Sequence, residues 1–196
     1  MVKAIKIIPI ICLWFLFLGS VQTKLPDVKI KTNQFDITYS QHFEQPLIVE
    51  YDVACTETKF SRKGLDFYVC DSIHTSDNND YVNNEWDKGH MAPAADFACN
   101  EALLKGTFTY LNCTLQQEKL NRGVWRLLEA HERDLAIKGK THVKIQCHFS
   151  TKSKNLPSGS TIPDGYTKTI TCGSIKEVYY FPNTVPTKKT YNEYKK

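Results

Sequence analysis

The chain contains no Cys-x-x-Cys pair, no internal repeat and no low-complexity tract. The first absence speaks against a zinc site, the others against a repeat array or a biased tail. After residue 23 no apolar run approaches the roughly 18 residues that a membrane span needs. Strong charge is missing as well. The formal net charge of +4 falls to +2 once residues 1–23, which hold Lys3, Lys6 and no acid, are set aside. That bias is too weak to identify a polyanionic partner.

At 196 residues the chain has room for one domain with a sizeable core. Its start has a separate character. Lys3 and Lys6 precede an apolar run over residues 7–18, followed by Gly19, Ser20 and Thr23. That layout predicts a secretory signal peptide over 1–23, and the run's shortness favours cleavage over an uncleaved anchor. Stable membrane association is then not expected. Cys12 falls within the signal, leaving Cys55, Cys70, Cys99, Cys113, Cys147 and Cys172. An even count behind a secretory signal predicts three disulfides, in any of fifteen connectivities.

Residues 24–44 are polar and mixed, and read as a leader packed loosely on a domain over 45–185. Strand patterns lie at 47–53, 143–149 and 177–181, rich in β-branched and aromatic residues. Ser, Asp and Asn mark 71–84 as loop, and Pro, Gly and Ser punctuate 157–165. Residues 186–196 read as a polar tail.

One long helix is predicted over about 116–137. Leu120, Val124, Leu127, Leu128 and Leu135 gather on one arc at roughly 100° per residue. Asn121, Trp125, Glu129 and Arg133 recur every fourth residue on another face. Thr114 and Gln117 have the spacing of a capping box. Gly123 inside the helix costs up to about 1 kcal/mol relative to Ala, which a close backbone approach would explain. Alone, Asn121 reads as a solvated helix residue, Glu129 with Arg133 as a surface ion pair, and Trp125 as core.

The sharpest local feature is the segment from Trp86 through Asp87, Lys88, Gly89 and His90 to Phe97. Phosphodiester hydrolysis needs a base for the attacking water and a cation for the developing charge. A neutral imidazole serves as such a base near pH 7. By itself, though, one histidine is more often structural or superficial.

Asp87-Lys88-Gly89-His90 followed by Met-Ala-Pro-Ala-Ala-Asp resembles the Asp-Arg-Gly-His signature of the DNA/RNA non-specific endonucleases. That family includes secreted bacterial nucleases and mitochondrial endonuclease G. A second block, Phe108-Thr109-Tyr110-Leu111-Asn112 and then Leu120-Asn121-Arg122-Gly123-Val124-Trp125-Arg126-Leu127-Leu128-Glu129, resembles the family's helix and the segment before it. A weaker third one holds Ile162, Pro163, Tyr166, Lys168 and the Tyr180–Asn183 run.

The resemblance implies an α+β fold with a central antiparallel sheet, flanking helices and a ββα-metal motif. It implies endonucleolytic hydrolysis of DNA and RNA to 5′-phosphates. His90 is similar to the general base, and Asn121 to the single protein ligand of a hydrated Mg²⁺, with Mn²⁺ as a substitute. Glu129 matches a carboxylate bonded to metal-bound water. Arg133, and more loosely Arg62, match arginines that stabilise phosphate. Asp87 and Lys88 support the site.

Two positions depart from the family. Lys88 replaces an arginine and loses the planar fork; bracing the loop beneath His90 and touching phosphate are its two readings. Leu115 stands where proline is common. Asn112-Cys113-Thr114 fits a glycosylation acceptor, though it sits inside the second block. A catalytically weak nuclease-like protein that binds nucleic acid outside the cell is the rival reading, against which the full His, Asn, Glu and Arg set argues. Extracellular location is expected, with a mitochondrial address as the alternative; the arginine-free start favours the former. Oligomeric state leaves no mark in the sequence.

Overall fold

The computed structural model describes residues 25–196; the signal peptide expected over 1–23 lies outside the described residues. In chain order the elements are β1 Asp27–Lys31, β2 Asp36–Ser40, β3 Gln45–Asp52, β4 Trp86–His90, α1 Glu101–Gly106 and β5 Cys113–Gln117. There follow α2 Glu118–Leu120, a π-turn over Asn121–Trp125, α3 Arg126–Ala136, β6 Thr141–His148, β7 Gly165–Cys172 and β8 Ile175–Pro182. Six strands form one antiparallel sheet in the order β1-β2-β3-β6-β7-β8, and β4 pairs with β5 in a separate two-stranded sheet. This is the mixed α+β architecture with a central antiparallel sheet that the resemblance implied.

Alternation decides which side of the large sheet is covered. Along β6, Val143, Ile145 and Cys147 are buried while His142, Lys144 and Gln146 face out. On the covered face Trp125 packs against Tyr166 and Phe181, with ring centroids 5.4 and 5.5 Å apart. Buried charges seat α3 on that face. Lys168 Nζ of β7 lies 2.9 Å from Glu132 Oε2 with both side chains fully buried, and Tyr51 of β3 donates to Glu132 Oε1 at 3.1 Å.

The β4–β5 ribbon is held by side chains that satisfy its backbone. Gln45 Oε1 accepts from Thr114 Oγ1 and from the Leu115 N–H, and Asn183 bonds both Leu115 O and Gln117 N. The Leu115 N–H is a donor that a proline would lack.

Four expectations need correction. Residues 24–44 do not pack loosely: β1 and β2 are strands of the main sheet, and Phe35, Ile37 and Tyr39 are buried. Their alternation with Asp36 and Thr38 was the overlooked period-two signal. Residues 186–196 are docked rather than tail-like. Tyr194 stacks on Phe181 at 4.6 Å, and the Lys196 N–H bonds Val178 O.

The predicted single helix is broken. Residues 113–117 are strand, Gln117 rather than Thr114 caps the helical start by accepting from the Lys119 and Leu120 N–H groups, and a π-turn interrupts it. Gly123 marks the kink, at φ −102° and ψ −115°. A Cβ there would meet nothing within 4 Å, so close approach is not its reason.

Of the three expected disulfides one forms among the described residues, Cys55–Cys99. Cys70, Cys113, Cys147 and Cys172 are free; the last three lie on β5, β6 and β7, and Cys70 lies in the segment between β3 and β4. Burial pushes the Cys113 and Cys147 thiols well up, which makes them unreactive. Asn112 is also buried, with its amide donating to Ala92 O and Thr107 O, so folded protein offers no glycan acceptor there. No helix among the described residues is long and apolar enough to cross a membrane.

Alkylation of denatured, unreduced protein should therefore label these four thiols within residues 25–196, and two more after reduction. Fewer than four before reduction would show further disulfides.

Candidate active site

The ribbon and the broken helix meet at one cavity of about 540 Å³, lined by Arg62, Leu65, Asp66, Phe67, Asp87, Lys88, Phe108, Asn121, Arg122, Arg126 and Glu129. Asp87 is its hub. From β4 its Oδ2 accepts from Asn121 Nδ2 and from Arg122 Nε, both at 2.9 Å. A carboxylate only accepts, so the amide NH₂ of Asn121 must face Asp87, leaving the carbonyl oxygen for another partner. That oxygen, with the Glu129 carboxylate on the same wall, makes an all-oxygen donor set. Such donors suit a hard, hydrated cation such as Mg²⁺. Among the described residues no group of three His, Cys, Asp or Glu could cage an ion, so any cation here would keep most of its waters.

His90 ends β4 and lies just behind this wall. Phe67 and Phe108, both lining the cavity, pack on its ring at 4.6 and 4.7 Å, and only 8% of the residue is exposed. Its Nε2 is sealed without a hydrogen-bond partner, so Nδ1 is the nitrogen left to meet water. Burial, aided by the charge of Arg62, pushes the imidazole down to about 3 and keeps it neutral at physiological pH. Gly89 beside it is required by packing: a Cβ would sit 2.6 Å from Gln116 Cβ on the paired strand. Arg62 itself lies over Phe108, 5.8 Å from the ring centroid.

Lys88 reaches Asp66 at 2.8 Å and also donates to Asn78, while its ammonium lies over the Phe67 and Tyr110 rings. It ties β4 to the segments that carry Asp66 and Asn78.

Of the expected residues, His90 lies behind the wall and Arg133 is drawn away from it. Arg133 donates to Asp96 Oδ1 at 2.8 Å, and that carboxylate is fully buried. Asp96 O in turn accepts from Ala54 and Cys55, so this contact anchors α3 to the disulfide-closed loop. Glu129 and Arg133 both follow the π-turn on regular α3 and keep their four-residue spacing, so it is the bond to Asp96 that holds Arg133 off the wall. The π-turn, whose i→i+5 winding carries one more residue than an α-turn, shifts the phase of Asn121 relative to that pair. Trp125 turns into the core, and Arg126 comes to the wall beside Asn121 and Glu129. Sequence reasoning missed Arg122 and Arg126 because it assumed an unbroken 3.6-residue repeat. It also missed Asp66 and Phe108, which lie on segments with no periodic signal.

Burial pushes the half-buried Glu129 carboxyl up to about 7, against the pull of Lys168 and Arg133. Its folded value then exceeds its ordinary one of 4.5. Between these values the folded state holds the proton more tightly, so stability is lost as pH rises through about 7. Glu129→Gln should therefore raise the melting temperature in EDTA at pH 8 and have little effect at pH 4. An equal shift at both pH values would show that Glu129 carries no such cost.

Comparison with known proteins identifies the family and the fold. The sequence profile of the DNA/RNA non-specific endonuclease family matches residues 18–195. The mitochondrial nuclease EXOG of Danio rerio is 32% identical over 107 residues, 52% of this chain and 31% of that protein. Mitochondrial endonuclease G of Homo sapiens is 34% identical over 77 residues, 38% of this chain and 26% of that protein. The matched segments thus span about a quarter to a third of these curated relatives. A solved EndoG/EndoGI complex is similar in fold, with a TM-score of 0.75 at 22% identity over 88% of this chain and 81% of that one. The chain belongs to the DNA/RNA non-specific endonuclease family.

Proposed function

We propose that this protein is a metal-dependent endonuclease that hydrolyses DNA and RNA with little sequence preference. The observation that carries the reading is a neutral His90, packed behind the cavity wall against Phe67 and Phe108, beside an Asn121 amide that Asp87 holds on that wall. His90 Nδ1 takes the proton of the attacking water, and Phe67 and Phe108 exclude bulk solvent from its ring. Asn121 would hold a divalent cation through its carbonyl oxygen, and the Glu129 carboxylate on the same wall would accept hydrogen bonds from its water. When bound, a hydrated Mg²⁺, or Mn²⁺ in its place, neutralises charge developing on the phosphate and leaving oxygen. Arg62 adds positive charge on the His90 side. Arg133, tied to Asp96, acts as a positioning residue. With cations and carboxylates on the wall, recognition goes to phosphates rather than base edges, which supports low sequence preference.

Secretion is the location we favour. The Cys55–Cys99 disulfide supports an oxidising compartment, and the mitochondrial names of the relatives support the alternative address. Cell fractionation with sequencing of the mature N-terminus separates the two.

Plasmid nicking should require Mg²⁺ or Mn²⁺ and stop in EDTA, and His90→Ala should lower turnover by about 10²–10⁴ with folding intact. Near-normal turnover in that variant removes His90 from the mechanism. Nucleic-acid binding without nicking by the unmodified protein identifies the binding-only rival.

A further inference from the structure

The cavity wall carries four cations, and two of them are already committed. Lys88 is paired with Asp66, and Arg122 with Asp87 and Glu118. Arg62 and Arg126 form no ion pair among the described residues. Arg62 lies over the Phe108 ring and acts on His90. Arg126 is different. Its Nε donates to Arg122 O at 3.2 Å, one turn back on the same helix, which anchors the planar head at one corner. The two terminal nitrogens stay available on an exposed side chain that lines the cavity. A guanidinium oriented in this way, with no carboxylate partner, is ready to receive a phosphate through two parallel bonds.

Its position follows from the break in the helix. The π-turn over Asn121–Trp125 sends Trp125 inward and brings Arg126 round to the wall that holds Asn121 and Glu129. Arg133 lies seven residues beyond, about 10 Å further along the axis, and is tied to Asp96. The free positive charge of this helix therefore belongs to Arg126. We propose that Arg126 is a substrate-binding residue that grips a backbone phosphate of the bound strand next to the one being cleaved. It sets affinity for polymeric substrate more than the rate of the chemical step. This inference rests on the nuclease reading given above.

The test measures binding of a labelled DNA duplex by anisotropy in EDTA, from 50 to 200 mM salt, and steady-state cleavage in Mg²⁺. Arg126→Ala should weaken binding about 5- to 10-fold at the lowest salt and reduce the slope of log affinity against log salt by about 0.9, the loss of one phosphate contact. In cleavage the larger share of the loss in kcat/KM should appear in KM. Arg126→Lys should restore the slope, because it keeps the charge, and recover part of the affinity. Lys176→Ala, which removes a positive charge outside the cavity, controls for net charge and should leave the slope unchanged.

A slope for Arg126→Ala equal to that of the unmodified protein overturns the proposal, as does an equal loss in Lys176→Ala. A fall in kcat at constant KM also overturns it. Failure of the unmodified protein to bind or cleave nucleic acid removes the nuclease reading itself, and is plainly distinct from those results.

Discussion

The seating of one helix on one sheet governs everything at the site. Glu132 of α3 and Lys168 of β7 meet with no solvent around either, and Tyr51 bonds the same carboxylate from a third element. Two charges taken out of water are tolerable only while each satisfies the other, and losing one partner costs about 3–5 kcal/mol. The contact therefore permits little sliding or rotation of α3. Arg133 and the buried Asp96 add a second fixed point toward the disulfide-closed loop. One turn before these two points on the same helix, Glu129 lines the cavity.

The same burial that fixes the helix also sets protonation. His90 and Glu129 occupy places where charge is poorly solvated, and each is pushed toward its neutral form, the histidine downward and the carboxylate upward. For His90 this leaves a free lone pair at physiological pH, at the cost of a weaker pull on a proton. For Glu129 it is costly without a compensating positive charge. A cation on the same wall would supply one, and the all-oxygen donor set is suited to holding it. Asp87 joins both parts. It leaves β4 three residues before His90 and accepts from Asn121 and Arg122 on the π-turn, so base and amide are referenced to one carboxylate.

Much of this was legible in the chain. The Asp87–His90 segment and the Asn121 block resembled the endonuclease family closely enough for that resemblance to imply an α+β fold, because each motif is short and local. Strands β3, β6 and β8 showed in their β-branched and aromatic runs. Strands β1 and β2 were hidden by polar residues on their outward faces, and the docked C-terminus by its lysines. An even cysteine count suggested three bridges, but whether two sulfurs meet depends on how distant segments pack, and only Cys55 and Cys99 do.

The sequence by itself determined which chemical groups are present and roughly which elements carry them: an imidazole at the end of a strand, and an amide and a carboxylate on a following helix. Tertiary structure decided which of them reach the cavity. A π-turn added one residue to a helix turn where Trp125 goes inward and Arg126 comes to the wall, and the buried Asp96 took Arg133 from the same helix as Glu129. Periodicity read from sequence assumes constant winding. The winding here changes where burying Trp125 and seating Glu132 on Lys168 both have to be met, and those requirements come from the opposite side of the core.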